Sequence, residues 1–76
     1  MHDRNRLVGV ATIHDDREVI KHVGAVLHRQ GIQAALIAVT GAVGVYVRHT
    51  DCRRALAILR QDSHRHHYWI LLARCR

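Results

Sequence analysis

The feature that most constrains the fold is an uncharged, largely apolar stretch, residues 30–47, that lies between Arg29 and Arg48. Its length reaches the roughly 18 residues at which a membrane-spanning helix must be considered. However, Gly41 and Gly44 interrupt it, both arms alternate at period two, and a cation on each flank removes any orientation signal. We therefore expect two buried strands joined by a glycine turn. Residues 1–6 lack the apolar region of a signal peptide, so we expect a soluble, cytoplasmic protein without membrane contact.

Length and composition limit the class of protein. The 76 residues, 49% of them apolar and none proline, predict a single folded domain, 1–76, with one small core. Two cysteines make neither a disulfide framework nor a zinc ribbon. We expect Cys52 to be buried and Cys75 to be an exposed free thiol. Because no paired catalytic groups stand at a recognisable spacing, we expect no enzyme and no cofactor.

Strand and helix patterns alternate along the chain. The first predicted elements are a strand at Leu7–Ile13 and a helix that is capped by Asp15 and ended by Gly31. Two strands follow, at Ile32–Val39 and Val43–His49, around a loop within Thr40–Gly44. A second helix, capped by Thr50 or Asp51, has the apolar stripe Cys52, Ala55, Leu56 and Leu59, and the last strand is at Tyr68–Ala73. This βαββαβ order predicts an α+β fold, the ferredoxin-like plait. Its four-stranded antiparallel sheet has the order 4-1-3-2, with both helices on one face.

The segments Ala34–Val39 and Tyr68–Ala73, the second and fourth predicted strands, are apolar on both faces. In the third strand Val43, Val45 and Val47 point one way, and Gly44, Tyr46 and Arg48 the other; in the first, Val8, Val10 and Thr12 oppose Leu7, Gly9, Ala11 and Ile13. An open sheet face is normally polar. We therefore expect a second copy of the chain, or a partner protein, to cover this face, with Tyr46, Trp69 and Leu71 as interface residues.

Several segments carry a family likeness: the opening strand Leu7–Thr12, then Gln30-Gly31-Ile32, Val45-Tyr46-Val47, Asp51 and Ala55–Leu59. On these segments the whole chain resembles the PII-like family of small bacterial signal-transducing proteins, which have the ferredoxin-like fold. The resemblance implies a regulatory role in binding a ligand or a partner, and it supplies no catalytic residues. The chain departs from this family in its histidine content and its arginine-rich ends.

A second likeness is to ACT domains, at Asp16-Arg17 after the first strand and at Gly31-Ile32-Gln33. It implies an amino-acid ligand at a domain interface. The glycine that usually follows the acidic and basic pair is replaced here by Glu18-Val19.

Histidines are frequent, with eight in the chain. Because the first and last strands are expected to be antiparallel neighbours, we predict that His14 lies near His64, His66 and His67. Such a group could bind Zn, Ni or Cu ions, with Asp15 or Asp62 as an oxygen ligand. Alternatively, the cluster senses pH near about 6.5, or it is a solvated loop without function.

Basic residues exceed acidic ones and give a net charge of +6. RNA-recognition modules share the βαββαβ order but stack bases on several aromatic residues, and only Tyr46 is available here. Non-specific phosphate binding through Arg48, Arg53, Arg54 and Arg60, together with Arg65, Arg74 and Arg76, stays open. Our leading hypothesis is a homodimeric, non-enzymatic regulatory module that binds a small ligand or a protein; nucleic-acid binding and metal binding are the alternatives.

Overall fold

The computed structural model describes residues 6–75; residues 1–5 and Arg76 lie outside the described part. The elements are β1 (Leu7–His14), α1 (Arg17–Arg29), β2 (Ala34–Val39), β3 (Ala42–Arg48), a 3-10 turn (His49–Asp51), α2 (Cys52–His66) and β4 (Ile70–Leu72). All strand pairs are antiparallel, in the order β2-β3-β1-β4. This is the predicted order 4-1-3-2 read from the other edge, so the α+β class and the strand order are confirmed.

Helix α1 begins one residue later than predicted. Asp16, not Asp15, caps it, because the Asp16 carboxylate accepts hydrogen bonds from the backbone N–H groups of Glu18 (2.9 Å) and Val19 (3.4 Å). The helix ends before Gly31, whose φ of 75° lies in the left-handed region that favours glycine. The predicted stop at this glycine is therefore confirmed.

The uncharged stretch forms the β2–β3 hairpin. Its turn is Thr40-Gly41, which lies within the predicted segment Thr40–Gly44, and Gly41 has a positive φ of 72°. Gly44 belongs to β3. Across the described residues, no helix has the length and apolar character needed to span a membrane. The interpretation of this stretch as two strands is confirmed.

One hydrophobic cluster joins the sheet to both helices. Val43, Val45 and Val47 of β3 are at most 3% exposed, and they pack with fully buried Leu27 of α1 and Leu59 of α2. The predicted stripe of α2 is buried along its whole length: Cys52, Ala55, Leu56 and Leu59. Because residues of both helices pack against the same strand residues, the opposite face of the sheet has no helix over it.

A bulge in β1 changes which residues face the core. The register with β3 shifts between Gly9 and Ala11, so Val10 is an extra residue. Val10 and Ala11 are both buried, whereas Thr12 lies opposite Gly44 on the open face. The predicted alternation of β1, with Val10 and Thr12 on one face and Ala11 on the other, is therefore wrong beyond Gly9.

Cys52 and Cys75 form a disulfide bond, with their Cα atoms 6.2 Å apart. Cys52 is buried as predicted, but the prediction of a free thiol at Cys75 is wrong. The topology explains the pairing. Arg48, just before the 3-10 turn and α2, pairs with Leu7, and β4 runs antiparallel to β1 toward the same end of the sheet. The start of α2 and the chain after β4 therefore meet.

Candidate functional site

The open face of the sheet carries the exposed hydrophobic side chains. Among the described residues, five large hydrophobic residues are about half exposed or more: Leu7 (50%), Ile37 (48%), Val39 (48%), Trp69 (52%) and Leu71 (61%). The strand registers place Leu7 opposite Arg48, Ile37 opposite Gly44, Val39 opposite Ala42 and Leu71 opposite Thr12. Each partner is on the side of its strand that faces away from the helices, so these four belong to the open face.

Tyr46 lies flat across the centre of this face. A Cβ atom placed on Gly44 would be 2.8 Å from the Tyr46 ring, and one placed on Gly9 would be 3.3 Å from it. The ring therefore occupies the space that these two glycines leave on adjacent strands. Tyr46 and Leu71 also line a shallow cavity of about 250 Å³ over the sheet. The glycines and the ring together make the face flat.

Trp69 lies at the β4 end of the open face. Its ring meets the ring of His14 edge to face, with centroids 4.6 Å apart. Because Ile70 pairs with Ile13, Trp69 comes beside His14, which lies next along β1. The predicted pairing of the first and last strands is therefore correct, but the aromatic contact that His14 makes is with Trp69. Tyr46, Trp69 and Leu71 share the open face as predicted, and their role as an interface stays a prediction.

The histidine tract is helical rather than a loop. Helix α2 continues through His64 to His66, and His67 ends it with a positive φ of 55°, its N–H bonded to the Ser63 carbonyl at 2.8 Å. Of the predicted metal ligands His14, His64, His66 and His67, only His66 belongs, within the described part of the chain, to a group of at least three His, Cys, Asp or Glu residues with closely spaced ligand atoms.

That cluster consists of His22, Asp62 and His66, whose ligand atoms all lie within 4.8 Å of one another. The His22 Nε2 atom is 2.8 Å from Asp62 Oδ2, and His66 Nε2 is 3.6 Å from Asp62 Oδ1. Tyr68 donates its hydroxyl proton to Asp62 Oδ2 at 2.7 Å. The sequence pattern did not identify His22 or Tyr68 as members of this cluster. The Asp62–His66 spacing of i, i+4 was a usable signal.

The Asp62 carboxylate is largely shielded from solvent, since its side chain is 13% exposed. Burial of Tyr68, its hydrogen bond to Asp62 and the negative charge of that carboxylate raise the pKa of the Tyr68 hydroxyl well above its ordinary value of 10.0. Tyr68 is therefore a neutral hydrogen-bond donor to the carboxylate at any physiological pH.

The predicted basic residues lie in different parts of the chain and have different surroundings. Arg48 of β3 donates to the Gln33 side chain, and Arg54 of α2 donates to the Gln30 carbonyl and lies 3.7 Å from Asp51. Arg60 is exposed, as is Arg65. Arg53 lines a cavity of about 580 Å³ beside the disulfide, together with Arg6 and Arg74. Arginine side chains that line a cavity can bind an anionic group when their guanidinium groups turn toward it. Arg76 lies outside the described residues.

Comparisons with family models, with curated proteins and with solved structures find no match to this chain. Its function therefore has to be inferred from the open face, the histidine cluster and the arginine-lined cavity.

Proposed function

We propose that this chain is a non-enzymatic regulatory module with the ferredoxin-like plait, and that it forms a homodimer through its open sheet face. The observation that carries the proposal is the position of the exposed hydrophobic residues. Leu7, Ile37, Val39 and Leu71 lie on this face, and Trp69 packs on His14 at its end. Apolar side chains gathered on one surface mark an interaction site, whereas scattered ones do not.

The size of the face fits an interface. The four strands average six residues (8, 6, 7 and 3). With strands about 4.8 Å apart and a rise of about 3.3 Å per residue, the sheet covers a projected area of roughly 400 Å². The accessible area of the side chains on it is larger than this projection. The projection alone is about half of the roughly 800 Å² per partner that stable interfaces bury, and the side chains that stand on it add to that area.

A second copy is the occupant that the charges favour. A two-fold interface has to be complementary to itself, and a chain with a net charge of +6 repels its own basic surfaces. The four strands contain one formally charged side chain, Arg48. The flat Tyr46 surface also allows two sheets to approach closely. Two such faces can therefore meet with little like-charge repulsion.

The regulatory role follows from the resemblance to the PII-like signal-transducing family, and the βαββαβ order with strands β2-β3-β1-β4 supports the plait. In this proposal the dimer is the scaffold. The helices and the arginine-lined cavity beside the disulfide stay free to bind a ligand or a partner.

Light scattering on a sizing column tests the dimer. We expect the mass of two chains for the wild type, with and without chelator, and the mass of one chain for Trp69→Glu and for Leu71→Glu. Both side chains are more than half exposed, so these variants should fold, which circular dichroism verifies. Ala57→Glu is the matched control, because Ala57 is exposed on α2, away from the open face. A monomeric wild type, or Glu variants that keep the dimer mass, would reject the proposal.

A further inference from the structure

The His22–Asp62–His66 cluster has a chemistry that the dimer does not use. We propose that it binds one divalent transition-metal ion, of which Zn²⁺ is the best fit. The inference rests on the geometry of these three side chains alone. It is independent of the proposed dimer, since the cluster lies on the helices and not on the open sheet face.

The donor atoms match the ion. Two imidazole nitrogens and one carboxylate oxygen are ligands that Zn²⁺ accepts, and three protein ligands leave a fourth position for water. In a tetrahedral site with bonds of about 2.0–2.1 Å, the donor atoms lie about 3.3–3.4 Å apart. The His22 Nε2 atom lies 2.8 Å from Asp62 Oδ2, His66 Nε2 lies 3.6 Å from the other carboxylate oxygen, Oδ1, and the ligand atoms of the three residues all lie within 4.8 Å of one another. Side-chain rotations have to bring one carboxylate oxygen and the two imidazole nitrogens to the tetrahedral spacing.

The helices hold the ligands in place. Asp62 and His66 are one turn apart on α2, so they share a face of that helix, and His22 comes from α1. The His22 and His66 rings already meet, with centroids 4.6 Å apart. An ion bound here would join α1 to α2, and its binding free energy would add to the stability of the folded state.

Tyr68 provides the support that metal sites normally have around their ligands. Its hydroxyl donates to Asp62 Oδ2 at 2.7 Å, which orients the carboxylate. Hydrogen bonds of this kind to a ligand typically change metal affinity by about 10–100-fold. Tyr68 is therefore a positioning residue in this site and not a ligand.

Two arginines near the cluster affect which fourth ligand the ion would bind. Arg29 and Arg65 line the same cavity of about 350 Å³ as Asp62 and His66. Their positive charges oppose a bare cation. They favour an ion that carries a negatively charged fourth ligand, such as hydroxide or a small carboxylate or phosphate anion. We therefore expect the bound ion to take an anion at its open position.

Calorimetric titration with Zn²⁺ alone tests the site, on the full chain after chelator treatment and in a buffer that does not coordinate metals. We expect one ion per chain. His22→Ala and His66→Ala should each weaken binding at least tenfold, and Tyr68→Phe about 10–100-fold. His64→Ala is the matched control, because His64 lies on the same helix outside the cluster, and it should bind as the wild type does. Co²⁺ in place of Zn²⁺ should give the visible absorption bands of a four- or five-coordinate ion.

Asp62→Asn guards against a folding defect, since asparagine keeps the size of the side chain and can still accept from Tyr68. It should fold, as judged by circular dichroism, and should lose Zn²⁺ affinity. The proposal is overturned if the wild type takes up no Zn²⁺, which would leave a hydrogen-bonded His–Asp–Tyr network only. It is also overturned if affinity survives His22→Ala but falls in a His64→Ala/His67→Ala double variant, which would indicate adventitious binding by the histidine tract. Because the mass is measured both with and without chelator, either result leaves the dimer test unaffected.

Discussion

Both faces of the sheet carry apolar side chains, but the two faces are built differently. On the covered face, β-branched residues such as Val45 and Val47 project into the space between the sheet and the helices and are fully buried. On the open face, Gly9 and Gly44 have no side chains of their own, and the Tyr46 ring lies over both glycines. The covered face therefore fills the space under the helices, whereas the open face presents a flat ring over two glycines. In the proposed dimer this flat surface is the one that the second sheet would contact.

The largest expected effect comes from making one substitution on each face. Leu59→Ala removes a fully buried side chain of the covered face, and we expect it to lower the free energy of unfolding by about 2–5 kcal/mol. Leu71→Ala, at 61% exposure on the open face, should cost less than about 1 kcal/mol in dilute protein.

Urea denaturation at several protein concentrations measures both losses. The loss for Leu71→Ala should grow with concentration, because dimerisation stabilises only the folded chain. Equal losses for the two variants, or a Leu71→Ala effect that is independent of concentration, would contradict the difference between the faces.

A smaller effect tests the flat surface of the open face. In Gly44→Ala the new Cβ would be 2.8 Å from the Tyr46 ring, so the ring has to move. Overpacking should outweigh the entropy that alanine saves, for a net loss of about 1 kcal/mol. Gly9→Ala, at 3.3 Å, should be closer to neutral.

Thermal and urea unfolding of both glycine variants, in the wild-type and Tyr46→Ala backgrounds, complete a double-mutant cycle. In the Tyr46→Ala background Gly44→Ala should become neutral or stabilising. A loss of the same size in both backgrounds would show that Gly44 is required for another reason.

The smallest expected effect is a decline in the free energy of unfolding at high pH, caused by Tyr68, which follows helix α2. The pKa of Tyr68 is higher in the folded chain than its ordinary value, so the unfolded chain loses this proton first. Its contribution to stability is complete below about pH 10 and declines as the pH rises further. Unfolding free energies measured on both sides of this pH should decline more steeply for the wild type than for Tyr68→Phe. Tyr46→Phe, on the open face, is the control and should follow the wild type.

Sequence pattern predicted the elements where one face differs from the other. The alternation of Val43, Val45 and Val47 with Tyr46 located the core side of β3 correctly. In β1 it failed at Val10, because residues on both faces are small or apolar and the pattern carries no sign of a bulge. Where hydrophobicity is the same on both sides, register has to come from pairing, which a single sequence does not display.

The histidine cluster shows a second limit. The Asp62–His66 spacing is local, and a helix extended by one turn would have exposed it. The contact of His22 with Asp62 depends on how α1 packs against α2, which spacing along one helix cannot supply. The disulfide, by contrast, could have been predicted from the sequence, because the predicted strand order already places Cys52 and the chain after β4 at the same end of the sheet.

The Cys52–Cys75 bond links the stability of the open face to the redox state of its surroundings. The bond closes a covalent ring that contains α2 and β4, and β4 is the shortest strand, with three residues. Trp69 and Leu71 therefore belong to a segment that the disulfide bond fixes covalently to the start of α2. Such bonds persist in oxidising compartments and are rare in the cytosol, where the sequence predicts this protein to be. In a reducing environment β4 would be held by its pairing with β1 and by the packing of Ile70 and Leu72 on the core, without the covalent link, and fraying of β4 would loosen one edge of the proposed dimer interface.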